Sequence, residues 1–110
     1  MAANSGKYPT MNHAAVYSAI LHYLKAVDAL QSDDGIKVVA KMKEMPTNDP
    51  LFGKGMIRAD GRKIHPVYLV EVKSPSESKG PYDYYKVLQT IPTDNAFRPL
   101  SESDCPLVKK

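Results

Sequence analysis

His13, His22 and His65 are the first residues to consider for metal or proton chemistry, and their spacing argues against both. None stands at metal-ligand spacing from another His, Cys or acid. On a helix, nine residues make two and a half turns, so His13 and His22 point to opposite sides. Cys105 is the only cysteine, which rules out an internal disulfide and leaves a free thiol. There is no glycine-rich phosphate loop, no GxSxG and no CxxC, and the Gly53, Gly55 pair leads into a strand pattern, the wrong element for a phosphate cradle. Asp60, Asp83 and Asp94 fall in turns, where Asp satisfies local backbone groups. The expectation is a chain with no catalytic set, no metal site and no cofactor. The tyrosines are a different case, because seven Tyr against two Phe and no Trp is a skewed aromatic set. Tyr82, Tyr84 and Tyr85 around Asp83 offer flat apolar faces with a hydroxyl at the rim, which suits a ligand cleft, but such residues more often close the edge of a core.

Any site must be positioned by the stretch Pro9 to Leu30, PTMNHAAVYSAILHYLKAVDAL, the longest apolar segment. Val16, Ile20, Tyr23, Leu24, Val27 and Leu30 recur at three- and four-residue steps, which predicts a helix from about 12 to 30 with that stripe buried. Thr10 and Asn12 are the candidate N-caps behind Pro9. Ala14, Ala15, Tyr17, Ala19, Leu21 and Ala26 fill much of the remaining circumference, leaving His13, Ser18, His22, Lys25 and Asp28 as a narrow polar strip. A helix this apolar expects cover on more than one side. Leaving half of it in water would forgo on the order of 10 kcal/mol of burial.

The chain then alternates breakers and patterned runs. Ser32 is the expected cap of a second helix over about 33–45, with Ile36, Val39, Met42 and Met45 on its buried face, Lys37, Lys41 and Glu44 on its wet one, and Pro46 as its stop. Residues 47–55 read as a loop around Pro50, Gly53 and Gly55. Strands are expected at about 56–58 and 62–72, turned by Asp60-Gly61. Pro66 belongs at a strand start or an edge. Val67 to Val72 (VYLVEV) is apolar at five of its six positions and predicts a core strand buried on both faces. Residues 73–81 form an exposed connection, and 84–91 a half-buried strand with Tyr85, Val87, Gln89 and Ile91 on one face. Ala96, Phe97 and Leu100 suggest one turn of helix against the body. Residues 1–7 carry no pattern and are expected to be disordered or a remnant of expression.

Composition bounds the function classes. With 43% hydrophobic and 25% charged residues over 110 positions, this is one globular domain at most, with the composition of an ordered protein. The formal charge is +3, but the basic residues are scattered from Lys7 to Lys110 among twelve acids, which argues against a nucleic-acid partner. The apolar run is interrupted by His22, Lys25 and Asp28 before it reaches a membrane-spanning length, and Met1-Ala2-Ala3 leads into Asn, Ser, Gly and Lys without the core of a signal peptide.

Taken together, PTMNHAAVYSAILHYLKAVDAL, VVAKMKEMP, GMIRADGRKIHPVYLVEVKSP and PYDYYKVLQTIPTDNAFRPLSESDCPLVKK resemble the C-terminal part of periplasmic solute-binding proteins of the branched-chain amino acid ABC transporter type, from about Tyr8 onward. The most specific pieces are DYYKVLQTIP and AFRPLSESDCPLV. The resemblance implies an α/β fold, α+β when isolated: two N-terminal helices, a hairpin and further strands, forming 8–110 of a type I periplasmic binding protein. It also implies a non-enzymatic binder of a small amino acid, amide or aromatic acid, periplasmic, working with an ABC permease and with an N-terminal lobe that this chain lacks. In such proteins the start of this helix approaches the ligand cleft, which points to Thr10, Met11, Asn12 and Tyr17. Asn12 is equally explained as a cap. Cys105 resembles the family's C-terminal cysteine, implying a disulfide to a cysteine in the missing part. A self-associating α+β module, as a homodimer, and a sensory domain of the same fold are the alternatives.

Overall fold

A computed structural model describes residues 8–106 and 108; the expectation for 1–7 lies outside them. In chain order the elements are α1 (Met11–Leu30), α2 (Gly35–Glu44), β1 (Thr47–Asp49), β2 (Gly53–Ile57), β3 (Lys63–Ile64), β4 (Val67–Val72), β5 (Tyr85–Ile91) and α3 (Thr93–Ala96), followed by a 3-10 turn at Leu100–Glu102. They form two antiparallel sheets, β1-β2-β3 and β4-β5.

Thr10 caps α1: its backbone N–H donates to His13 Nδ1 at 3.1 Å, and its hydroxyl lies 2.7 Å from the same nitrogen. A nitrogen that accepts carries no proton, so the ring proton of His13 sits on Nε2. The face that α1 buries is the reverse of the one its apolar spacing indicates. Ser18, His22 and Ala26, one turn apart, are the buried residues, while Val16, Tyr17, Ile20, Tyr23 and Leu24 are exposed. The polar side chains go inward because the body offers them partners. Ser18 donates to Asp49 and His22 Nε2 to the Met42 carbonyl at 2.8 Å, which removes the cost of burying them. Ala26 is fully buried.

In α2 the cap is Asp34 rather than Ser32: Asp34 Oδ1 accepts from the amides of Ile36 and Lys37, both at 3.1 Å. The buried face also shifts. Val38 is buried, with Met42 and Met45 half-buried, while Ile36 is 86% exposed and Val39 lies outward with it. The sequence carries two overlapping apolar stripes here, and α1 and β2 cover only the one through Val38.

Residues 47–49, expected as loop, form β1, paired with β2 through Thr47↔Gly55, Asn48↔Lys54 and Asp49↔Gly53. The turn between them is built by Asp49, whose Oδ1 accepts from the Leu51 and Phe52 amides at 2.9 and 2.8 Å, and by Gly53 at φ 67°, a conformation open to glycine. Gly55 is required by contact: a Cβ there would run into the Ile64 carbonyl and come within 2.9 Å of Thr47 Oγ1. The Asp60-Gly61 turn joins β2 to β3, with Met56↔Ile64 and Ile57↔Lys63 in register and Gly61 at φ 81°.

β4 and β5 form a two-stranded ribbon from Val67↔Ile91 to Val72↔Tyr85, with a bulge at Leu88 where Leu69↔Gln89 is followed by Val70↔Val87. The expectation of a strand buried on both faces is overturned. Tyr68, Leu69, Val70 and Val72 are all exposed, Val72 to 72%, as are Tyr85 and Val87 of the supposedly half-buried partner. A parallel sheet would have covered such a run on both sides, and the described residues supply neither cover. Phe97, after α3, packs against His65, which sits between its ring at 6.0 Å and that of Phe52 at 4.8 Å. The radius of gyration is 17.2 Å, against about 13 Å for a compact domain of this length.

Candidate functional site

The first turn of α1 forms one side of an open cavity of about 610 Å³, lined by Pro9, Thr10, Met11, His13, Ala14, Tyr17 and Leu51. Three of the four residues singled out in the sequence, Thr10, Met11 and Tyr17, meet here. Asn12 does not: it turns to a shallower groove with His13, Val16 and Tyr17. The cavity wall is apolar apart from Thr10 and His13. Because His13 Nδ1 is occupied by Thr10, its Nε2–H is the group left to donate to a guest. Leu51 was missed. It arrives from the β1–β2 turn, and the only signal for it was an apolar Leu-Phe pair placed where a turn is otherwise polar.

Behind α1 lies a second, more enclosed cavity of about 400 Å³, lined among others by Ser18, His22, Thr47, Phe52, Lys63 and His65. At its edge a buried polar cluster ties three elements together. Ser18 Oγ donates to Asp49 Oδ2 at 2.7 Å, and Lys63 Nζ donates to the same oxygen at 2.7 Å and to Ser18 Oγ. Lys63 also lies 4.7 Å from the centre of the Phe52 ring, a favourable cation–π placement. Burial pushes the Asp49 carboxyl up, but Lys63, Ser18 and the amides of Phe52 and Leu51 outweigh it and hold the group well below the usual carboxylate range. Ser18, Asp49 and Lys63 satisfy one another: the Ser18 hydroxyl donates to the Asp49 carboxylate and Lys63 Nζ donates to both, so the lysine serves here as donor and counter-charge. Thr47 is 1% exposed and its Oγ1 has no partner. Among the described residues no three His, Cys, Asp or Glu side chains gather to hold a metal ion, and no helix is long and apolar enough to cross a membrane.

Tyr82, Tyr84 and Tyr85 do not close a core edge; each is about half exposed. Their rings form a chain with Tyr8: Tyr8 to Tyr82 at 4.6 Å, Tyr82 to Tyr84 at 6.1 Å and Tyr84 to Tyr85 at 6.3 Å.

No curated protein matches the chain. Two solved structures do. One is a periplasmic binding protein from Burkholderia mallei, 50% identical, matched over 98% of this chain with a TM-score of 0.92. The other is a branched chain amino acid ABC transporter periplasmic ligand-binding protein from Burkholderia xenovorans, 46% identical, matched over 96% of this chain with a TM-score of 0.90. The chain spans 28% of the length of each. A family described as "Periplasmic binding protein" matches residues 1–81. With half its residues shared over nearly its whole length, and the same path of the backbone, this chain belongs to the periplasmic binding protein family.

Proposed function

We propose that the chain is the C-terminal part of the solute-binding component of a periplasmic ABC transporter, a binder and not an enzyme, and that its solute is a small amino acid, amide or aromatic acid. The observation that carries the reading is the cavity at the start of α1. Its wall of Pro9, Met11, Ala14, Tyr17 and Leu51 suits an apolar side chain, and a helix N-terminus supplies amide donors and positive dipole for a carboxylate. Thr10, Met11 and Tyr17 would touch the solute there, with Asn12 at its margin. The cavity is open, and a site that captures a small molecule from dilute solution encloses most of its surface. The missing walls would come from an N-terminal lobe closing over this one, and that same polypeptide would cover the bare stripe of α1 and the bare ribbon. Cys105, half-buried and free in this chain, would pair with a cysteine there. The receiving partner would be a membrane permease.

Calorimetric titration tests this. Leucine and benzoate should give no micromolar binding with the 110-residue chain alone. Mixing in a polypeptide carrying the rest of the Burkholderia mallei relative should restore binding of a solute at micromolar strength. Micromolar affinity in the isolated chain, or a well-formed mixed complex that takes up no amino acid, amide or aromatic acid, would overturn the proposal. The same bare surfaces favour one further reading, a homodimer that buries α1 and the ribbon against a second copy. Light scattering separates the two: a stable dimer that refuses the complementing polypeptide favours self-association.

A further inference from the structure

Tyr82 has a backbone φ of +70°, a conformation that a bulky side chain adopts only when its surroundings force it. The local turn does so: the Asp83 amide donates to the Gly80 carbonyl at 3.3 Å, and with Pro81 as its second residue such a turn sets the third, Tyr82, at positive φ. Asp83 Oδ1 accepts from Lys73 Nζ at 2.7 Å and its Oδ2 from the Lys79 amide at 3.0 Å, and the Lys73 amide donates to the Tyr84 carbonyl at 2.8 Å. These bonds fix both flanks of Tyr82 without touching its side chain. What the side chain gains is the ring of Tyr8, at 4.6 Å and tilted by 38°. Tyr8 is followed directly by Pro9 and Thr10, which line the cavity, and Thr10 is the cap of α1.

We propose that Tyr82 is a positioning residue for the cavity, an aromatic latch by which the ribbon tip pins the segment Tyr8-Pro9-Thr10 and so holds one side of the cavity in place. The importance of that side for a solute rests on the receptor reading above; the latch itself does not. Glycine meets that turn's demand without strain; the tyrosine there places a ring that neither the Gly80–Asp83 turn nor the Lys73–Asp83–Lys79 bonds use.

The test needs no solute, so its outcome is independent of the titrations above. The Ala14 amide donates to the Thr10 carbonyl at 3.1 Å, and its hydrogen exchange in the full 110-residue chain reports whether the first turn is held. Tyr82→Gly, which adopts positive φ freely, should leave the thermal midpoint unchanged or raise it, yet speed Ala14 exchange about tenfold. Tyr8→Ala should speed it similarly, and Tyr82→Phe, which keeps the ring, should behave as the unsubstituted chain. A residue serving only the loop's stability would move midpoint and exchange in the same direction. The latch is overturned if Tyr82→Gly leaves Ala14 exchange unchanged, if it lowers the midpoint while exchange rises throughout the chain, or if Ala14 is already unprotected before substitution.

Discussion

Asp49 is the residue at which α1, β1 and β3 meet, and its carboxylate is a partner all three share. Lys63→Met would leave that carboxylate, 4% exposed at its side chain, with the Ser18 hydroxyl and the Leu51 and Phe52 amides as donors but without its counter-charge. Breaking a buried pair from one side costs about 3 kcal/mol, less here because Lys63 is partly solvated, so urea titration should show a loss of about 2–3 kcal/mol. The pH dependence follows from the direction of the Asp49 shift. Its folded-state value lies below the unfolded one, so its contribution is complete above about pH 4 and is lost as pH falls through the folded value. Urea midpoints measured from pH 5 downward should fall, and Asp49→Asn should flatten that fall while lowering stability at pH 7. Thr47→Val has the opposite sign: removing a buried hydroxyl with no partner should be neutral or stabilise by up to about 1 kcal/mol. None of this was legible from residue types. Ser18 and His22 read as part of a polar strip outside the expected buried stripe, and Ser18 finds its partner 31 positions away.

At the scale of elements, the two helices were legible in position and misread in orientation. The 3.6-residue period says that α1 has apolar residues along one side, but it does not say which side this chain covers. The consequence is measurable. Ile20→Glu on the bare face should change stability by no more than about 0.5 kcal/mol and reduce any self-association, whereas Val38→Ala, at a fully buried position, should cost about 1–3 kcal/mol. Gly55→Ala is a sharper test of the β1–β2–β3 sheet, since the added methyl would strike the Ile64 carbonyl; a loss of about 2 kcal/mol or more is expected by thermal denaturation. β1 escaped notice for a physical reason. Three residues between Pro46 and Pro50 carry no alternation to read, and the turn that pairs them with β2 is made by the Asp49 side chain, whose role depends on Lys63 and Ser18 being present.

The whole molecule measures 51 × 36 × 19 Å, longer and thinner than 110 residues need to be. The surplus of apolar surface was legible in the sequence, and the start of α1, to which the family resemblance points, lines a cavity. The site was only partly legible, because Leu51 enters through a turn and Asn12 points elsewhere, and neither follows from a helical period. Small-angle scattering on a dilute monomer should return a radius of gyration near 17 Å. The ribbon extends this argument beyond shape. β4 pairs only with β5 among the described residues, so each strand keeps an outer rim of amide donors and carbonyl acceptors with no neighbour to match them. Such rims recruit any extended segment they meet. Pro66, Pro92, Lys73 and Lys86 stand at or near them, residues that discourage lengthwise accretion. Synthesised without its complement, this chain would offer those rims for fibril growth from the ribbon outward, with the prolines and lysines as the brake.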